Sequence, residues 1–168
     1  LMDGRVMDVS WPMRRFIVGM ILIKRPKESA HAYQSIWTKE GSPLIITSRN
    51  VQALLQKRVT VPVELAMRYQ NPSIPDVIRR LARRGVDDLL LIPLFPHYAM
   101  SSYETAVVRV QEVAPKIAPQ MRVTVQPPYG DAPDYLNALV ASASEYLARP
   151  YDHLLFSFHG VPERQICK

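Results

Sequence analysis

Leu89-Leu90-Leu91-Ile92-Pro93-Leu94-Phe95, followed at once by Pro96-His97-Tyr98, is an apolar run of strand length that ends in polar and aromatic residues. Being apolar on both faces, it suits the interior of a parallel sheet, where helices cover each side. Its flanks supply those helices. Upstream, after a turn at Asn71-Pro72-Ser73, Ile74, Val77, Ile78, Leu81 and Ala82 recur on one helical face, and Gly85 closes the helix. Downstream, Ser101-x-x-Glu104 reads as a capping box, opening a helix with Tyr103, Ala106, Val107, Val110 and Ala114 inward. Pro115 and Pro119 end that helix.

The same alternation extends both ways. Val61 to Ala66 reads as an earlier strand, Met121 to Val125 as a later one, and Leu154 to Phe158 as the last. Asp131-Ala-Pro133 starts a helix before that last strand, with Leu136, Leu139, Val140, Ala143 and Leu147 inward. Successive strand starts lie about 30 residues apart, the length of a βαβ unit. The expected fold is therefore α/β: a doubly wound, flavodoxin- or Rossmann-like parallel sheet with helices on both faces.

Ahead of the sheet, Met13 to Ile23 and Lys27 to Lys39 read as two helices separated by a Lys24-Arg25-Pro26 loop. Ser42-Pro43 reads as N-cap and first residue of a third. At 168 residues, 48% of them hydrophobic, the chain can bury one real core. Its charge of +6 favours acidic partners. Arg79, Arg80, Arg83 and Arg84 recur at helical spacing and read as a solvated helix face. Cys167 is the only cysteine, so no disulfide forms within the chain and a cytoplasmic home is expected. The longest lipid-like run, Phe16 to Ile23, falls well short of the roughly 20 residues needed to span a bilayer. It could lie on a membrane surface as a peripheral contact, or line an apolar cleft.

The polar residues gather at the carboxyl ends of the expected strands, the ligand side of such a sheet. They are Arg68-Tyr69, then His97-Tyr98 with Ser101 and Ser102, then Tyr129-Gly130, then His159-Gly160. No glycine-rich phosphate loop stands at any of them, so a nucleotide held in the usual way is not expected. Gly160 lets the backbone turn sharply behind His159, and Pro162 stiffens the exit.

Leu154-Leu155-Phe156-Ser157-Phe158-His159-Gly160-Val161-Pro162 resembles the signature of the ferrochelatases, which insert ferrous iron into a porphyrin in haem synthesis. The resemblance continues through Arg25-Pro26-Lys27, Ile36-Trp37, Gly41-Ser42-Pro43-Leu44, Met67-Arg68-Tyr69 and Pro93-Leu94-Phe95-Pro96-His97-Tyr98. His97 stands where the family often has glutamine, and Ala99 to Tyr103 lies in a segment that varies between branches. The resemblance implies that residues 1–168 are an N-terminal chelatase domain. It would lack the family's first strand and the whole second domain, which carries an acidic residue facing the histidine. It further implies porphyrin (protoporphyrin IX or coproporphyrin III) and Fe²⁺ as substrates, no cofactor, and the missing C-terminal domain as partner. It also implies that the 168-residue chain alone is inactive.

The chemistry suits those residues. Metallation needs an apolar bed for a flat macrocycle, a site that strips water from Fe²⁺, and an acceptor for two pyrrole protons. A neutral imidazole, with pKa about 6.5, can ligate metal or take a proton. His159 is the expected catalytic residue and metal ligand. Arg68 offers a fork for a porphyrin carboxylate and Tyr69 a plane for the ring, although the same arginine could pair with an Asp or Glu. Arg25, Ser101, Ser102, His97 and Met13 complete the expected porphyrin-binding set, Met13 as part of an apolar lip with Phe16, Ile17 and Met20. His31 and His153 read as surface residues. Two other readings stay open: a sirohydrochlorin-type cobalt or iron chelatase, and a non-catalytic module binding porphyrin, haem or nucleic acid. The motif favours the first assignment, with no nucleic-acid partner.

Overall fold

The computed structural model describes residues 2–7 and 9–166. Elements run in the order α1 (Trp11–Ile36), α2 (Pro43–Gln56), α3 (Ile74–Arg83), β1 (Asp88–Leu91), α4 (Thr105–Ile117), β2 (Arg122–Val125) and α5 (Pro133–Leu147). A π-helical turn, Met100–Glu104, leads into α4, and a 3₁₀ turn, Glu163–Gln165, lies near the end of the chain. The fold is α/β, with β1 and β2 paired in parallel and Leu89 opposite Val123.

The core is the βαβ unit and the helix before it. Ser73 accepts the Asp76 amide at 3.3 Å and so caps α3. At the other end Gly85, at φ +72°, donates to the Ala82 carbonyl at 3.0 Å, and the Val86 amide reaches Leu81 at 3.2 Å. These paired bonds form a Schellman stop, which requires the left-handed conformation that glycine adopts without strain. Between cap and stop, Ile74, Val77, Ile78 and Leu81 are buried against Val110, Val113 and Ala114 of α4, with Ala118 and Met121. Leu89, Leu91 and Val123 close the cluster from the sheet. Period 3.6 on the helices meets period 2 on the strands, so only one face of the sheet joins this core. Leu90, on the other face, is 58% exposed.

Several local expectations differ from the structure; Pro115, for one, does not end α4, which runs through it to Ile117. Lys24-Arg25-Pro26 is not a loop, because α1 runs through Pro26 without a break. Proline removes one amide from the helical ladder and disfavours the interior, but helix-forming residues on both sides carry the helix across. The helix ends at Ile36, where Trp37 turns extended. Val61 to Ala66 pairs with no strand among the described residues. Its backbone is held instead by glutamines of α2: Gln52 Nε2 donates to the Val63 carbonyl at 2.7 Å, and Gln56 Oε1 accepts the Val63 amide at 2.8 Å. Gln56 Nε2 also reaches the Val61 carbonyl at 3.0 Å. Side-chain amides thus satisfy polar groups that a ladder would satisfy.

Leu154 to Phe158 likewise joins no strand, and Leu155 is 90% exposed. The helix that would lay it back beside β2 is α5, none of whose residues is buried. Leu136, Leu139, Val140 and Leu147, expected inward, are all exposed. Ser101 differs as well: it lies inside the π-helical turn and makes no cap bond. Its hydroxyl donates to Gln165 Oε1 at 2.8 Å.

Candidate functional site

The carboxyl ends of β1 and β2 are fastened together. The amides of Tyr129 and Gly130 both donate to the Pro96 carbonyl at 2.8 Å, and Tyr103 Oη donates to the Gln126 carbonyl at 2.8 Å. Tyr129 Oη reaches the Pro93 carbonyl at 3.4 Å. The His97 ring lies over Gly130 so closely that a methyl group there would overlap it. Glycine at 130 is therefore required by close approach rather than by φ. The loops expected to converge at 96–98 and 129–130 do meet.

Arg68 joins from the side. Its Nε donates to the Thr105 carbonyl at 2.9 Å, at the start of α4, and its Nη2 to Asp3 Oδ2 at 3.0 Å. The guanidinium lies 4.5 Å from the Tyr69 ring centroid, a cation–π stack that orients the exposed ring. Arg68 therefore pairs with an acid, the alternative its sequence position left open. Asp3 also accepts from the Arg5 amide at 3.0 Å, while Arg5 Nε lies 3.6 Å from Glu104, whose carboxylate accepts from Tyr98 Oη. Burial alone would push the Asp3 carboxyl up. The Arg5 amide and charge, with the Arg68 guanidinium, hold it below the ordinary aspartate value. This chain of charges ties the N-terminal turn, residue 68 and the π-helical turn into one unit.

A cleft of about 460 Å³ opens beside it, lined by Met2, Asp3, Val18, Leu22, Arg68 and Tyr69. That size is in the range of small-molecule sites. The side of α1 that reaches it carries Val18 and Leu22, two residues the lip reading did not single out. Met13 is outside the cleft lining, as are Phe16 and Met20, and all three are exposed. A second recess of about 310 Å³ is also lined by Arg68 and reaches Ser73, Ile74, Arg109 and Glu112.

The remaining expected residues sit apart. Arg25, His97 and His159 are exposed, and Ser102 is half-buried beside Ser101. The Ser101–Gln165 bond, with Gln165 only 7% exposed, pins the chain six residues beyond His159 to the π-helical turn. Among the described residues no three His, Cys, Asp or Glu side chains gather as a metal cage. Cys167 lies outside the described residues. Sequence reasoning missed Asp3 and Gln165 as parts of this assembly; it placed Tyr98 on the ligand side and read Glu104 only as part of a capping box, without seeing that the two pair. Partners in the assembly lie up to 65 residues apart, and no periodic pattern links them.

The Ferrochelatase family model matches residues 1–168. Curated relatives bearing the name ferrochelatase come from Opitutus terrae and Pseudomonas aeruginosa, each 52% identical, over 99% and 100% of this chain respectively. Another, from Pseudomonas putida, is 48% identical over 100% of the chain. Aligned residues make up 49% of the Opitutus protein and 50% of each Pseudomonas protein. The chain thus spans about half the length of the curated relatives it matches, and it belongs to the ferrochelatase family.

Proposed function

We propose that this chain supplies the histidine-bearing half of an enzyme that inserts Fe²⁺ into a porphyrin, protoporphyrin IX or coproporphyrin III, in the cytoplasm. The observation that carries the reading is the family match along all of residues 1–168. In the balanced reaction two pyrrole nitrogen–hydrogen bonds break and release two protons, while all four ring nitrogens bind the incoming Fe²⁺. Fe²⁺ enters as substrate.

His159 is assigned the reacting imidazole. It stands exposed at the end of an apolar run, and an imidazole nitrogen can ligate iron or accept a pyrrole proton. Its sparse surroundings suit a site that must release its metal, since three or more protein ligands would hold it. Tyr69 is the ring platform, held by Arg68. Because Asp3 already neutralises Arg68, we assign the substrate carboxylates to exposed Arg25 and keep Arg68 as the support. Ser101 and Ser102, on the π-helical turn, and His97, on the loop after β1, are assigned further porphyrin contacts. The acidic partner of His159 is assigned to the half of the relatives that this chain does not cover.

The test joins the chain to the C-terminal half of the Opitutus terrae relative and follows porphyrin fluorescence as Fe²⁺ is added. The expected result is iron-dependent quenching by the joined protein and none by the 168-residue chain alone. Turnover by the chain alone, or insertion into a sirohydrochlorin-type ring in preference to porphyrin, would overturn the assignment. Porphyrin affinity should also change little across a salt series, whereas a nucleic-acid binder would weaken steeply.

A further inference from the structure

Among the described residues from Ser144 onward, Gln165 alone is buried, while every residue from Ser144 to Arg164 faces water. A buried side-chain amide calls for a hydrogen-bond partner. Gln165 Oε1 has one in the Ser101 hydroxyl at 2.8 Å, 64 residues back along the chain. Ser101 is itself held still. The π-helical turn around it closes with the Glu104 amide donating to the Ala99 carbonyl at 3.2 Å. Buried Tyr103 fastens the turn to the Gln126 carbonyl, and buried Thr105 donates its hydroxyl to the Ser102 carbonyl at 3.1 Å. The Glu104 carboxylate accepts from Tyr98 Oη. Helical turns of this type recur at functional sites, and this one is a fixed post for Gln165.

The other side of the bond is stiff as well. Pro162 leads into the 3₁₀ turn with its φ fixed by the ring. The Gln165 amide donates to the Pro162 carbonyl at 2.8 Å, and the Ile166 amide to the Glu163 carbonyl at 3.0 Å. Residues 162–166 therefore move as one piece with Gln165, and only Gly160 and Val161 separate that piece from His159. A link that short reaches about 10 Å when fully extended. With the bond open, the next helix upstream is α5, capped at Ala148. From there the extended chain lets His159 range over about 36–40 Å. Because volume grows with the cube of the reach, the bond confines the imidazole by roughly fiftyfold.

We propose that Gln165 is a positioning residue for His159, one that rests on the assignment of His159 as the reacting imidazole. Its bond to Ser101 presents the imidazole to the site by holding the chain, without contact to substrate. The test measures kcat and porphyrin KM of the joined protein by iron-dependent quenching, with thermal melts and iron-free porphyrin binding alongside. Gln165→Met keeps the side-chain length and removes the acceptor. It should lower kcat by about tenfold or more, with porphyrin KM and affinity held within about twofold. A factor below the full confinement is expected because the joined half tethers the same chain. Ser101→Ala should lower kcat to the same extent and Ser101→Thr should restore it. Ser101→Ala/Gln165→Met should lose no more kcat than either change alone, since both break one bond. On a His159→Ala background, Gln165→Met should leave the residual rate unchanged, because the amide acts through the imidazole. Should Gln165→Met fail to fold, Ser101→Ala, which deletes a single oxygen, decides the matter by the same kcat criterion. An unimpaired kcat in Gln165→Met, additive losses from the two single changes, or a further fall on the His159→Ala background would overturn the proposal. So would a kcat loss matched by an equal loss of porphyrin affinity. Parent-like insertion by His159→Ala would remove the underlying assignment, whereas an inactive His159→Ala beside a fully active Gln165→Met would overturn the positioning role alone.

Discussion

Replacing Arg68 with methionine removes two charge-assisted hydrogen bonds, to the Thr105 carbonyl and to Asp3. The side chains of Arg68 and Asp3 are 21% and 16% exposed, so water screens this pair only partly. Hydrogen bonds to charged groups contribute about 1.5–3 kcal/mol each. Asp3 keeps Arg5 when Arg68 is lost, which reduces the total, and we expect Arg68→Met to cost about 2–4 kcal/mol. For a domain of this size that corresponds to a fall in Tm of roughly 5–15 °C. The comparison variant is Arg80→Met. Arg80 meets Glu64 at 2.8 Å, slightly closer than Arg68 meets Asp3, but its side chain is 47% exposed. Water screens such an exposed pair, so Arg80→Met should be much the milder change, and burial rather than distance should separate the two variants. A double-mutant cycle with Asp3→Asn, read by urea unfolding, should give an Asp3–Arg68 coupling of about 1–2 kcal/mol. A coupling below about 0.5 kcal/mol, within the scatter of additive sites, would mean that the pair does not hold the N-terminal turn to residue 68.

Two further outcomes follow from the same geometry. Because the folded carboxyl of Asp3 titrates below its unfolded value, its stabilisation is complete above the ordinary aspartate range and is lost as pH falls through the lowered value. The stability gap between the parent and Asp3→Asn should therefore be flat from neutrality to about pH 5 and close below about pH 4, as read by thermal melts across pH. A gap that widened in acid would contradict the pairing. Gly130→Ala forces a methyl group into the space of the His97 ring. It should cost about 1–3 kcal/mol, as overpacking does, and the His97→Ala background should relieve most of that loss.

What the sequence made legible was whatever local rules decide. Gly85 as stop, the inward faces of α3 and α4, and strands expected at 89–95 and 121–125 and observed at 88–91 and 122–125 all follow from spacing within a dozen residues. The meeting of His97 with Tyr129 and Gly130 followed too, because strand ends in a parallel sheet share one side. Long-range pairing was not legible. An apolar run such as Leu154 to Phe158 is a strand only where another backbone completes its ladder, and its residues say nothing about whether that backbone is present. Val61 to Ala66 had a competitor for its polar groups in Gln52 and Gln56, which no periodicity announces. Ser101 fitted a capping box by spacing, yet its hydroxyl found Gln165. Pro26 reads as a breaker locally, although the surrounding helix tolerates it. Arg68 shows the limit for sites: its type suited both a substrate fork and an ion pair, and the pair that forms depends on Asp3, 65 residues away.

His159→Ala in the joined protein, measured by iron-dependent quenching of porphyrin fluorescence alongside porphyrin binding in the absence of iron, addresses the assigned chemistry. The expected result is loss of iron insertion with porphyrin affinity largely retained, since Tyr69 and Arg25 are untouched. Insertion by His159→Ala near the parent rate would contradict it, and the reacting group would have to be sought elsewhere.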